Sequence, residues 1–304
     1  MNIRKLVPGL LLVLFLAGCT LPNLKPFADA TAELHAAVVE TDSAVRLTLT
    51  EAGAESEAER LGQELALRIA ALSAVVNYSD SLAQIAAAGK SGSESAGNLS
   101  DALNGFLGAL SAPTLPSNYI ALAKSLYGLV AEVRAARSFS RAVETADPAI
   151  QGMAQVLIAD FGDLEALLAQ SLVPVQQALL DNNDNHEIVD YRMQLERRRR
   201  QLEVQLSGNT EDAGTIRSLK EINDLIDMTR DRYEPLAEQL AEIAQRTNRQ
   251  ILLVRASKTA LRQWADIHGE LGNSIAQGIS PNTRLLISTV IETRKLINEG
   301  GAGR

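Results

Sequence analysis

The sequence predicts an all-α protein: a multi-helix bundle with a long antiparallel coiled-coil hairpin. Two observations carry this. Apolar residues recur at three- and four-residue spacings along nearly the whole chain of 304 residues, and no segment shows the alternating β-branched pattern of a strand. A third agrees with them: aromatics are only 4% of a chain that is 46% hydrophobic, a balance met in alanine- and leucine-rich helix bundles.

The first predicted helix runs from Phe27 through Leu34, Val38, Val45 and Leu49 and fades at Ala52-Gly53-Ala54. The second carries Leu65, Ile69, Leu72 and Val76 in four-three-four spacing, the seam of packed antiparallel helices, and stops in Gly89-Lys90-Ser91-Gly92-Ser93. A shorter helix with Leu99, Leu103, Phe106, Leu107 and Leu110 follows, until Pro113 and Pro116 break the chain. The next, with Ile120, Leu126, Val130 and Val133, is expected to end before Asp147-Pro148, a pair suited to starting a helix.

Periodicity then runs from about Pro148 to Leu206, and again from about Thr210 to Gln277, with one clear turn at Ser207-Gly208-Asn209-Thr210 and a cap expected at Thr210. Arms joined by so short a turn are antiparallel neighbours, each on the order of 90 Å at 1.5 Å per residue. Pairing across the turn sets Pro235 opposite Asp181-Asn182-Asn183-Asp184-Asn185, the least helical stretch of the outgoing arm. A joint is expected there. It divides a bundle of residues 27–180, completed by 236–304, from a distal coiled-coil tip of residues 181–235. Pro174 and Pro235 are expected to kink their helices. A last helix from about Pro281 to Asn298, with Leu285, Leu286, Val290 and Leu296, is expected to pack back on the bundle, and the glycine-rich end to fray.

The N-terminus is of another kind. Arg4 and Lys5 precede an apolar run, Leu10 to Leu16, too short to span a bilayer comfortably. Leu16-Ala17-Gly18-Cys19 closes it, two small residues before the sole cysteine of the chain. This segment resembles a bacterial lipoprotein signal with its lipobox. The resemblance covers about the first 20 residues and implies that residues 1–18 are removed and that Cys19 carries a diacylglycerol thioether and an acylated amine. It also implies, since Thr20 is not aspartate, the outer membrane with the body facing the periplasm. Lipidation accounts for a lone cysteine in an exported chain, where a free thiol would invite stray disulfides. At about 0.8 kcal/mol per buried methylene, two or three acyl chains anchor stably. Residues 19–26 then form a lipidated tether, and Thr20 to Pro26 reaches roughly 20 Å when extended.

Composition and motifs bound the function. Removing residues 1–18 takes away Arg4 and Lys5 and no acid, so 29 less two leaves 27 basic against 37 acidic residues, a net charge of −10. That argues against a nucleic-acid binder and against general adhesion to anionic lipid. His35, His186 and His268 lie far apart in sequence, without the paired spacing of a helical metal site. A calcium-loop alignment from Asp181 fails at His186 and Arg192. With no nucleophile elbow, phosphate loop or dinucleotide fingerprint, no enzyme, catalytic residue, metal, small-molecule substrate or cofactor is expected beyond the lipid on Cys19.

Arg197-Arg198-Arg199-Arg200 is the most conspicuous charged run and the candidate contact for an anionic partner. Residues 186–232 hold nine basic and ten acidic side chains, so the run also fits a solvated, ion-paired coiled-coil face. A seam of Ile188, Leu195 and Leu202 places Arg198 near the core edge. Residues 102–123 form 22 consecutive positions without a charge. They carry the alternative reading, a helical pore-forming or membrane-remodelling protein, against which Pro113 and Pro116 stand. The favoured reading is a membrane-anchored structural or protein-interaction component of the cell envelope, whose partner is another envelope protein or a second copy.

Overall fold

The structure is a computed structural model that describes residues 21–51, 55–89, 92–182, 185–208 and 210–301. The described residues form nine helices and no strand: α1 (Lys25–Glu51), α2 (Glu55–Ala87), α3 (Ser93–Leu110), α4 (Ser117–Ala135), α5 (Phe139–Asp181), α6 (Asn185–Gly208), α7 (Ala213–Met228), α8 (Arg230–Gln277) and α9 (Arg284–Gly301). The protein is an all-helical bundle. The described residues group into two compact units, one within 21–42, 63–165 and 252–301, the other within 43–62 and 166–251.

In the first unit α1 begins two residues before Phe27, because Asn23 caps it through a bond from the Lys25 amide at 3.0 Å. Phe27 is fully buried and stacks on Trp264 of α8, ring centroids 6.2 Å apart. His35 on α1 bonds Ser73 on α2 while the Trp264 indole bonds Ser79, so α1 and α2 run antiparallel. The α2 seam is buried at Leu65, Leu72 and Val75, with Ala71 and Ala74 letting its neighbours approach closely.

Helices α3 and α4 pack on each other, the Ser100 hydroxyl donating to the Val130 carbonyl at 2.9 Å and Arg134 pairing with Asp101. The uncharged stretch 102–123 therefore spans two helices and the proline-bounded turn between them. Leu103, Phe106, Leu107, Leu110 and Leu115 are buried. Among the described residues no helix is long and apolar enough to cross a membrane.

Asp147-Pro148 does not begin a helix. It lies inside α5, which starts at Phe139 under a cap from Ser138, whose hydroxyl accepts from the Arg141 amide at 3.3 Å and whose carbonyl accepts from the Ala142 amide. Pro148 is tolerated because its missing N–H deprives only the carbonyl of Glu144, and both residues are exposed to water. Against α8, Gly272 allows a close approach: a Cβ there would stand 3.2 Å from the Ser140 carbonyl oxygen and 2.4 Å from Glu144 Cγ. Farther along the same pair of helices, Arg255 and Lys258 both donate to Glu165, at 2.7 and 3.0 Å, holding its carboxyl below the usual range.

In the second unit α5 stops at Asp181 and α6 starts at Asn185. The cap of α7 is Asp212, not Thr210; its carboxylate accepts from the amides of Gly214 and Thr215 and from the Thr215 hydroxyl. The returning arm is interrupted at Thr229, six residues before Pro235, which sits within α8. Thr229 turns its hydroxyl back onto the Ile226 carbonyl at 2.8 Å, and Arg192 donates to that same oxygen, whose remaining backbone partner is the Thr229 amide three residues on, at 3.2 Å. The last helix begins at Arg284 rather than at Pro281, which is buried in the connection before it.

Trp264 is the single tryptophan and is fully buried, so its emission reports on the first unit alone. Phe27→Ala should lower the stability read by that emission by about 3–5 kcal/mol, through lost burial and the cavity left against the indole. Met228→Ala, at a side chain 80% exposed in the second unit, should leave it within about 0.5 kcal/mol. Urea unfolding followed by tryptophan fluorescence checks both.

Candidate functional site

Two polar clusters lie inside the first unit. The deeper joins three helices through His268 on α8, which has no solvent exposure. Its Nδ1 lies 2.8 Å from Asp147 Oδ1 on α5, and its Nε2 lies 2.9 Å from the Tyr78 hydroxyl on α2. The phenol has one proton to give and the carboxylate only accepts, so the imidazole is the neutral Nδ1–H tautomer: it donates to Asp147 and accepts from Tyr78. Gln151 completes the group, donating to Asp147 at 3.2 Å and to the Ala265 carbonyl at 2.7 Å. Beside it the Trp264 indole donates to Ser79 at 2.9 Å, and Phe106 of α3 packs on the Tyr78 ring at 5.4 Å.

Electrostatics follow burial. Desolvation lowers the proton affinity of His268, outweighing the carboxylate beside it, and the ring stays neutral. Burial also pushes the Tyr78 phenol up, with the Asp147 charge adding to it. For Asp147 itself burial acts upward, but the bonds and charge of His268 and the bond from Gln151 prevail, and the carboxyl lies below its ordinary value.

The second cluster centres on Arg68 of α2, 2% exposed. Its guanidinium donates to the Glu64 carbonyl at 2.6 Å, to the Glu64 carboxylate at 2.8 Å and to Asp160 Oδ1 on α5 at 2.9 Å. The Tyr119 hydroxyl on α4 donates to the other Asp160 oxygen at 2.7 Å. Burial raises the Asp160 carboxyl, with Glu64 and Asp163 adding to that, against the bond from Tyr119 and the charge of Arg68.

A carboxylate–imidazole–phenol chain has the order of a proton relay. Here its terminal oxygen is closed to a reactant: Tyr78 is 1% exposed and His268 0%. What the two clusters do is fix register. Sliding α2, α5 or α8 by a single residue would leave several buried polar groups unpaired, at about 1–3 kcal/mol each. Sequence spacing could not reveal them, since His268 lies 121 residues from Asp147 and 190 from Tyr78.

Of the residues singled out in the sequence, Leu16, Ala17, Gly18 and Cys19 lie outside the described residues. Arg197, Arg198, Arg199 and Arg200 all lie on α6 but do not form one site. Arg197, Arg198 and Arg200 are exposed, and Arg199 turns inward, pairing with Glu196 at 2.9 Å and Glu203 at 3.5 Å. The inward arginine is thus Arg199 and not Arg198. The stripe Ile188, Arg192, Leu195, Arg199, Leu202 keeps four-three-four-three spacing, and Leu195 and Leu202 are its buried members.

Arg192 is a further residue that sequence reasoning missed. Its side chain is 13% exposed, bonds the Thr229 hydroxyl at 3.0 Å, pairs with Glu196 at 3.2 Å and lies 5.1 Å above the Tyr233 ring. Its place in the Leu195 stripe was the signal available. Among the described residues no group of three or more histidine, cysteine, aspartate or glutamate side chains could hold a metal. Comparison of the chain with family models, curated proteins and solved structures finds no match.

Buried His268 and half-buried His35 set a pH dependence. The unfolded chain protonates near 6.5, whereas folded His268 and His35, both lowered by burial, resist the proton. Their contribution is therefore complete above about pH 6.5 and is lost as pH falls, at up to about 1.4 kcal/mol per pH unit for His268 and less for the partly solvated His35. Asp160, raised by burial, takes up a proton more readily when folded and opposes this only near and above 3.8. His268→Gln should cost about 2–3 kcal/mol at pH 7.5 and make the slope between pH 6.5 and 5 shallower, with the His35 part kept. Urea titrations at stepped pH, read at Trp264, check it.

Proposed function

We propose that this chain is an outer-membrane lipoprotein, anchored through acylated Cys19 and facing the periplasm, that serves as a structural or protein-interaction component of the cell envelope. The observation that carries the reading is the succession of Arg4-Lys5, the apolar run and Leu16-Ala17-Gly18-Cys19. Two features of the described body support an interaction role over catalysis. His268 and Tyr78, the imidazole and phenol of its interior, bond each other and are closed to solvent, and the polar variety lies on helix surfaces instead.

The presenting element in this reading is a coiled-coil hairpin of α6 and α7. In its support, the two helices pack on each other across the connection 209–212, Leu195, Leu202, Thr215 and Ile226 are buried between them, and Arg192, Arg199 and their glutamates lace the flank. Arg192 also reaches Tyr233, so the stretch just before Pro235 lies beside the first turns of α6, the helix that follows the end of α5 at Asp181. That favours a joint at this height. Outward, α6 offers Met193, Arg197, Arg200 and Val204 at four-three-four spacing, Met193 and Val204 being 50% and 71% exposed. A surface of that kind suits an acidic amphipathic helix of an envelope protein or of a second copy.

Cys19→Ser should move the protein from the outer-membrane fraction to the soluble periplasm or leave its precursor unprocessed; unchanged retention would overturn the anchor. A photocrosslinker at Arg200 in intact cells should capture a discrete product, and Arg197→Glu with Met193→Ala should reduce it several-fold at unchanged helicity. Capture that is indifferent to both changes would remove the hairpin from the interaction.

A further inference from the structure

The connection from α8 to α9 holds apolar side chains outward on a rigid mount. Gly278 takes φ +67°, its amide bonds the Ile275 carbonyl at 3.2 Å, and the Ile279 amide bonds the Ser274 carbonyl at 2.9 Å. This double closure is the Schellman arrangement, in which the residue after the glycine ordinarily folds back onto the helix. Here Ile279 stays 58% exposed, and Leu285, one residue into α9, is 65% exposed, although Pro281 between them and Leu286 just after are buried. The two backbone bonds at Gly278 and Ile279 and the buried Pro281 fix the course of the connection, so the outward pair is held there rather than left loose.

The same end of the first unit carries unpaired cations. Gly272 presses the last turns of α8 onto Ser140 at the start of α5, which brings the link 136–138 to this end with exposed Arg137 in it. Arg284 at the start of α9 is exposed as well, and neither arginine has an acidic partner among the described residues. The neighbouring basic residues Arg134 and Arg141 are neutralised by Asp101 and Glu144.

The chain enters the fold within reach of this end. Leu24 and Phe27 are buried, and Phe27 stacks on Trp264, thirteen residues before the last residue of α8 and so about 20 Å from it along the axis. Helix α9 returns beside α1, where Arg294 pairs with Glu33. Leu24 is five residue steps beyond Cys19, a span of at most about 18 Å. A lipid on Cys19 can therefore lie level with the end that bears Ile279 and Leu285.

We infer that this end of the first unit docks on the bilayer, with Ile279 and Leu285 seated at the boundary between headgroups and acyl chains and Arg137 and Arg284 directed at phospholipid phosphates. The inference rests on the lipoprotein reading, which supplies the anchor, and adds a second contact to it. Anchor and docking surface together hold the unit in one orientation, where an acyl chain alone would let it swing. The net negative charge elsewhere on the chain disfavours any other approach to anionic lipid.

The test uses full-length lipidated protein in vesicles of phosphatidylethanolamine and phosphatidylglycerol. Acylated Cys19 has no free thiol, so Ile279→Cys, Leu285→Cys, Ile291→Cys and Val39→Cys each accept one environment-sensitive dye; all four sites are exposed and the changes should leave Trp264 emission unaltered. Quenching by a lipid-borne quencher should be several-fold stronger at 279 and 285 than at Val39, with blue-shifted emission, and intermediate at 291, six residues along α9. Water-like emission at 279 and 285 from protein that floats with the vesicles would overturn the docking while leaving the anchor standing. Protein whose Cys19 is itself alkylated and which does not float would overturn both.

Discussion

A neutral imidazole wedged between a carboxylate and a phenol sets the register on which the first unit depends. His268 can satisfy both ring nitrogens only when α8 faces Asp147 on α5 and Tyr78 on α2 at once. The apolar contacts around it are less exacting. Much of the core is alanine and leucine, side chains that slide past one another with small loss, and only a handful of aromatic residues are present to lock a packing pattern. The hydrophobic effect drives these helices together, and the polar chain decides how far along each other they rest. Trp264, one turn from His268 on α8, extends the same layer to Phe27 and so fixes where the chain enters the bundle.

The second unit is built on other terms. Its α6 and α7 are largely polar, and their contact is a narrow seam in which Leu195 and Leu202 alternate with Arg192 and Arg199. Those arginines cover apolar surface with their stems and give their charges to Glu196, Glu203 and the Tyr233 ring. Such an arrangement leaves little buried area per residue and many side chains outward. It is a construction suited to presenting a surface, whereas the sealed interior of the first unit is suited to holding a shape.

The helical class was legible because a 3.6-residue period is a local property, visible at Leu65, Ile69 and Leu72 without knowledge of any partner. Helix ends were less so. Asp147-Pro148 has the look of a start, and only the position of His268 shows why an aspartate stands there, inside α5, as the acceptor of a buried bond. Thr229 rather than Pro235 interrupts the returning arm because a hydroxyl and Arg192 compete for one carbonyl, a contact across 34 residues that no window of sequence displays. The arginine run was conspicuous as composition, yet its members divide by helical phase, Arg199 inward and Arg197 and Arg200 outward. Both buried clusters escaped notice for the same reason: their members are isolated in the chain and meet only in the fold.

The described body and the proposed anchor meet in a short length of chain. Leu24 is already buried, so whatever holds Cys19 lies within a few residues of a packed helix bundle, and the position of the first unit follows directly from the chemistry at that one residue. Mass spectrometry of the N-terminal peptide from protein extracted from membranes tests this directly. The account predicts a peptide that begins at Cys19 and carries a diacylglycerol thioether with an acylated amine; a peptide that retains residues 1–18, or begins elsewhere with an unmodified Cys19, would contradict it.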